Sequence, residues 1–266
     1  MKKDFKQEFT KLLTKINSNE QFAFSRFSDG ELFMMRNQPV IIGTDHYVTG
    51  EIKGRNTYGE EEVKEFLPER DQVYRDKLIE CFKDVRPNYF KGICTSNENT
   101  ATPTGPFTYQ VELHGGDHET LTYSNLLINS NYPRFMEEMV PLFPQKDIIY
   151  VVNRLANTDK LPFKVKKKFE IGSNCMINDF HITEEVKEYI AKNSIKEHII
   201  LCSAATLSNF IIHDCFTEND QNTFLDIGSC LNPILDLKGW VHSRGYLQHY
   251  WLNIDNVYAH QVDYWK

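Results

Sequence analysis

Apolar residues at the start of the chain recur at helical spacing. Phe5, Phe9, Leu12, Leu13 and Ile16 share one side, so an amphipathic helix is expected over residues 3–17. Residues 21–27 read as a strand, and Asp29-Gly30-Glu31 leads into a short helix through Met35. A short apolar run at 40–43 suggests a further strand. Val73, Tyr74, Leu78, Ile79 and Phe82 on one face predict helix over 60–83, interrupted at Pro68. Residues 89–95 read as a strand. Residues 96–119, with Pro103, Gly105, Pro106, Gly115 and Gly116, read as a long polar loop, a kind that is usually functional or mobile inside a compact domain. Helix is expected over 120–142, and strands at 148–152 and within 163–176. The last third alternates helix 183–193, strand 198–203, helix 206–216 and strand 223–227.

Strands that alternate with helices in this way predict an α/β fold. The expected form is a Rossmann-like, mainly parallel sheet with helices on both faces, in one domain spanning 1–266 with a mobile loop at 96–119. Ligands of such sheets bind at the carboxyl ends of the strands. That rule directs attention to three junctions, after Phe27, after Cys202 and after Ile227.

Composition narrows the class. The 266 residues are 41% hydrophobic and 13% aromatic, enough for a full core and unlike a disordered chain. A net charge of −7 argues against a general polyanion binder, because nucleic-acid affinity rests on Lys and Arg that neutralise phosphates. The one dense basic run, Lys164, Lys166, Lys167 and Lys168, reads as a solvated strand or loop edge. No stretch approaches the roughly 18 consecutive apolar residues of a membrane span. The six cysteines form no C-x-x-C pair, the N-terminus lacks the apolar core of a secretory signal, and a cytoplasmic location is expected.

The first junction reads Ser25-Arg26-Phe27-Ser28-Asp29-Gly30-Glu31. In an extended segment, carboxylates at Asp29 and Glu31 would project to one side and could hold Mg²⁺ or Mn²⁺, which in turn neutralises a diphosphate. Gly30 would let a ligand approach the backbone, and Arg26 would offer a forked cation to phosphate oxygens. A plain helix start, with Asp29 capping and Glu31 in the first turn, explains the same residues. The second junction, Ser203-Ala204-Ala205-Thr206, runs from a strand into a helix whose free N–H groups form an anion site. The third places Asp226 at a strand end, where it could bind ribose or sugar hydroxyls or act as a turn residue.

Taken together and in this order, the three segments resemble the glycosyltransferases of the GT-D fold. That family carries an R-F-G-D-G-E-like motif near its N-terminus. Arg26-Phe27-Ser28-Asp29-Gly30-Glu31 is similar to it, with Ser28 in place of Gly. The later strand, small-residue turn, helix and D-I-G resemble Leu201 through Gly228, and Arg154 and Asn157 are similar to the family's Arg and Asn after a strand. The resemblance implies that Asp29 and Glu31 bind a divalent metal and the donor diphosphate. It implies transfer of sugar from a nucleotide-diphosphate sugar to a hydroxyl of a glycan, a protein or, in a phage-type enzyme, a modified DNA base. Ser203, Thr206, Arg154, Asn157 and Asp226 would line the donor site. Asp236 and His242, which follow the third junction, are candidate general bases.

Two other readings stay open. His114-Gly115-Gly116-Asp117-His118-Glu119 could hold a transition metal for a hydrolase. A non-catalytic sugar-nucleotide-binding protein would keep the same site. The C-terminal aromatics (Trp240, Tyr246, Tyr250, Trp251, Tyr258, Tyr264 and Trp265) suit sugar or base stacking, core packing or the interface of a homo-oligomer.

Overall fold

The structure is a computed structural model and describes residues 3–55, 59–94, 106–128 and 131–237. His242 and the C-terminal aromatic cluster lie outside the described residues. Helix α1 (Phe5–Asn17) begins where the Asp4 carboxylate accepts from Gln7 N at 2.8 Å, and buries Phe5, Phe9, Leu12 and Ile16. Strand β1 (Ala23–Phe27) follows, then α2 (Asp29–Met35). Next come three short strands, β2 (Val40–Ile42), β3 (Tyr47–Thr49) and β4 (Ile52–Gly54).

The segment expected as helix over 60–83 is divided. A turn at Glu60–Glu62 precedes β5 (Lys64–Phe66), and helix α3 starts only at Gln72 (Gln72–Lys83). Pro68 breaks the segment, and Asp71 closes the turn by accepting from Leu67 N at 2.8 Å. Strand β6 (Tyr89–Ile93) follows as expected. The expected loop contains a helix, α4 (Pro106–Leu113), with proline at its first position, where the missing N–H costs nothing.

The helix expected over 120–142 is a second correction. Leu121–Tyr123 is strand β7, and helix begins at α5 (Tyr132–Arg134), passing into a π-turn at Phe135–Met139 and a 3₁₀ segment at Val140–Gln145. Pro141 and Pro144 lack the N–H groups a regular helix would use, which accounts for the tightening. The remainder matches the expected alternation: β8 (Ile148–Asn153), β9 (Val165–Ile171), α6 (Cys175–Asn178), α7 (Ile182–Lys192), β10 (Ile199–Cys202), α8 (Thr206–Glu218) and β11 (Thr223–Asp226).

Seven strands form one sheet in the order β7-β6-β1-β11-β10-β8-β9, and every pairing in it is parallel. Helices cover both faces. One core packs α1 and the α5 region on Phe24, Phe90 and Tyr150. The other packs α2, α3, α7 and α8 on Phe27, Tyr89 and Ile200. Strand β8 is buried throughout, as its unbroken apolar run demands, whereas β9 is an edge strand. Its lysines explain the basic run: Lys166 pairs with Asp147 and Lys168 with Glu170, both at 2.7 Å. Charges of this kind protect a sheet edge from further pairing. A second, antiparallel sheet, β4-β3-β2-β5, is the one substantial unit that the hydrophobic pattern did not reveal.

The chain order positions the site. After β1 the chain moves to β6 and β7 on one side, then crosses to β8 and β9 and returns through β10 to β11, on the other side of β1. The order therefore reverses between β1 and β11, and in open parallel sheets ligands bind outside the carboxyl ends of the strands at such a point.

Candidate functional site

Arg26 and Asp226 meet at this point of the sheet. Arg26 Nε lies 3.3 Å from Asp226 Oδ1, Arg26 N donates to Oδ2 at 3.2 Å and Gly228 N donates to Oδ1 at 3.1 Å. Burial pushes the Asp226 carboxyl up, against these three donors, which favour its charged form. Burial works to lower the Arg26 pKa, but the charge and hydrogen bond of Asp226 together with Cys230 and Glu31 outweigh it, and the net direction is upward. The guanidinium lies on Gly228, where a Cβ would come within 2.7 Å of Arg26 Cζ and where φ is +49°. Only glycine satisfies both conditions. Asp226 and Arg26 are thus committed to each other rather than held open to ribose and phosphate.

Asp29 and Glu31 stand on the first turn of α2, not in an extended segment as expected. Residues two apart on a helix point about 200° apart, so the two carboxylates face different ways. Asp29 is exposed. No hydrogen bond or ion pair of its carboxylate is found among the described residues. Glu31 is 8% exposed, and both its oxygens are engaged. Oε2 accepts from Ser28 N at 3.0 Å, completing a capping box, and Oε1 accepts from Thr206 Oγ1 at 2.7 Å. Burial raises the Glu31 carboxyl, opposed by the Thr206 hydroxyl. Glu31 thereby ties the start of α2 to the start of α8. Beside them, the space a Gly30 side chain would fill is open to 4 Å, as a close backbone approach by a ligand requires.

The start of α8 has the character of an anion site. Ala205 has φ +45° and ψ −137°, a strained conformation for any residue with a Cβ, and it is exposed with no side chain capping the helix. Leu207 N and Ser208 N donate to Ala204 O and Ala205 O, and among the described residues no acceptor is found for Ala205 N or Thr206 N, which leaves these two for an anion. Thr206 is buried with its hydroxyl spent on Glu31. Ser203 is half-buried, its hydroxyl 2.9 Å from Tyr150 OH.

The remaining expected residues lie apart from this cluster or are otherwise engaged. Arg154 is exposed and ion-paired with Glu61. Asn157 caps a short turn through Asp159 N and reaches Asp236 Oδ2 at 3.5 Å. Asp236 is ion-paired with Lys160 at 2.8 Å, which leaves it poorly placed to take a proton. His114 and His118 have ring centroids 6.0 Å apart. His114 is buried with Nε2 3.4 Å from the Lys91 ammonium, and burial and that charge push it down to about 4. A neighbouring cation repels a metal. Among the described residues no group of three or more His, Cys, Asp or Glu could hold a metal by itself.

Two buried amides that sequence reasoning missed brace the site. Gln110 of α4 donates to Phe27 O at 2.8 Å and accepts from Cys94 N at 2.9 Å, clamping the ends of β1 and β6. Asn209 of α8 donates to Ser25 Oγ and Arg26 O, both at 2.9 Å. Nothing in the hydrophobic pattern distinguishes such residues from solvated ones. The signal available was a polar position on the apolar face of a helix.

A divalent cation fits this donor set in part. Mg²⁺ in nucleotide sites is commonly held by one or two carboxylates together with substrate phosphates. Asp29 offers a carboxylate that has no partner among the described residues, and Glu31 retains second lone pairs on both oxygens.

The class of fold follows from these features: an α/β fold with a parallel seven-stranded sheet, of the kind found in glycosyltransferases. The structure is similar to a glycosyltransferase (DUF1792) from Streptococcus sanguinis, with a TM-score of 0.54 and 11% identity over 89% of this chain and 85% of that one. It is also similar to the domain of unknown function 1792 described as having a distinct glycosyltransferase fold, with a TM-score of 0.52 and 14% identity over 88% of this chain and 80% of that one. Comparison with protein-family models and with curated protein sequences gives no match. Among the described residues no helix is long and apolar enough to cross a membrane.

Proposed function

We propose that this protein is a metal-dependent glycosyltransferase that moves a sugar from a nucleotide-diphosphate sugar to an acceptor hydroxyl. The observation that carries the proposal is the joining, at the switch point of the sheet, of the first turn of α2, which carries Asp29, to the uncapped, strained start of α8 through Glu31 and Thr206. Sugar transfer breaks the bond between the anomeric carbon and the diphosphate and forms one to the acceptor oxygen, whose proton passes to a base. Negative charge grows on the leaving diphosphate, so groups that receive that charge lower the barrier. Asp29 would hold Mg²⁺ or Mn²⁺ together with the diphosphate oxygens, and Glu31 would keep its place between α2 and α8. When bound, the metal supplies Lewis-acid stabilisation of the departing diphosphate. The N–H groups at Ala205 and Thr206 would receive the phosphate oxygens, and Gly30 would admit the ligand to the backbone.

The test is calorimetric titration of nucleoside diphosphates and diphospho-sugars, with and without Mn²⁺, on the wild type and Asp29→Ala. Metal-dependent binding that is lost in the variant supports the proposal. Binding that is indifferent to metal and to the substitution reduces Asp29-Gly30-Glu31 to a helix start.

A further inference from the structure

The cations expected to serve the site are occupied. Arg26 is held by Asp226 and Arg154 by Glu61. The diphosphate released on transfer carries more negative charge than one divalent ion neutralises, and Asp29 takes up part of that ion's charge, so a further cation is called for.

Lys64, on the small antiparallel sheet, meets that need. In the pairing of β2 with β5, Val40 lies opposite Phe66 and Ile42 opposite Lys64. Alternate strand residues share a face, so Lys64 stands on the same face as Phe66. That face is the inner one: Phe66, Val40 and Ile42 are buried, and Phe66 and Val40 belong to the core that also holds Phe33 and Met34 of α2. Glu65, between them, points the other way and pairs with Arg70. Lys64 is therefore an inward-facing, half-buried cation on an otherwise apolar face. No hydrogen bond or ion pair of its ammonium is found among the described residues.

Its backbone is pinned on both sides. Asn174 N donates to Val63 O at 2.7 Å, and Glu65 N donates to Asn174 Oδ1 at 3.0 Å. The next residue, Cys175, donates its thiol to Ala204 O at 3.2 Å, beside the strained turn into α8. The charge of Lys64 accordingly acts on both the Cys175 thiol and the Glu31 carboxyl. An anionic ligand would give this ammonium a hydrogen-bonding partner of opposite charge.

We propose that Lys64 is a donor-binding residue whose ammonium takes the diphosphate of the sugar nucleotide, so that the small sheet forms one wall of the site. This rests on the donor-site reading above and adds a residue to it. The test is titration of UDP, GDP, dTDP, ADP and the corresponding monophosphates and nucleosides, in Mn²⁺, on the wild type, Lys64→Met, Lys64→Gln and Lys64→Arg. Charge-assisted hydrogen bonds of this kind predict that the best diphosphate loses about 10-fold or more in affinity in Lys64→Met and Lys64→Gln. The nucleoside should be little changed, and Lys64→Arg should recover most of the loss. Equal diphosphate binding by wild type and Lys64→Gln overturns the role of Lys64 and leaves the donor site standing. A wild type that binds none of these ligands removes the donor site itself, and the role of Lys64 with it.

Discussion

Lys91 is a lysine in the middle of β6 with no exposed surface, and it offers a quantitative check on the interior. Its ammonium donates to Asp84 O at the end of α3 and lies 3.4 Å from His114 Nε2. Burial lowers its pKa from 10.5 to about 8. At about 1.36 kcal/mol per pKa unit, the folded state bears a cost of about 3 kcal/mol for keeping this amine charged. Lys91→Met removes the charge while keeping length and much of the volume, and leaves the Asp84 carbonyl without its donor, at about 1 kcal/mol. A net gain of about 2 kcal/mol at pH 7 follows, or about 4–8 °C in Tm for a chain of this size. The sign with pH is fixed. Between about pH 8 and 10.5 the unfolded chain binds the proton that the folded chain has released, so wild-type stability rises with pH across that window. The advantage of Lys91→Met should shrink over the same window. Thermal unfolding of both proteins from pH 7 to 10.5 measures it. A variant less stable than wild type at pH 7, or a difference independent of pH, refutes the reasoning.

Further outcomes follow from the same contacts. Glu31→Ala and Thr206→Val should each destabilise by about 1–3 kcal/mol, and the double variant by less than their sum, because each leaves a buried group unpaired. A denaturant double-mutant cycle measures the coupling, and additivity would deny the bridge. Gly228→Ala should cost about 1–3 kcal/mol, since its Cβ meets the Arg26 guanidinium at a positive φ; an unchanged midpoint in urea would count against that packing. Gln110→Ala should lower stability by about 1–3 kcal/mol by orphaning Phe27 O and Cys94 N, and faster amide exchange at Cys94 is the local readout.

The three strand–helix junctions were legible in the sequence because each combines a strong apolar run with small or acidic residues where the chain turns. The α/β class followed from the same alternation. What stayed hidden was set by tertiary pairing. Strands β3, β4 and β5 are three residues each, too short for a period of two to show, and they exist because β2 pairs with β3 and β5, and β3 with β4. Lys64 was therefore read as one position in a helix. Strand β7 was hidden for the same reason, being held by β6 rather than by its own pattern. The Asp29 and Glu31 pair was legible, but its geometry was not: the helix-start alternative puts the cap at Asp29, whereas Ser28 caps α2 and the capping box turns Glu31 inward. Arg26 and Asp226 were both singled out, and their mutual pairing depended on β1 and β11 being neighbours, which no local pattern encodes.

The most direct test of the central claim is a crystal structure of the protein soaked with Mn²⁺ and its best-binding nucleoside diphosphate, with data collected for manganese anomalous scattering. An anomalous peak within coordination distance of the Asp29 carboxylate is predicted, with the diphosphate running from the metal to the start of α8 and the Lys64 ammonium. A nucleotide bound elsewhere, or a metal away from Asp29, would contradict the account.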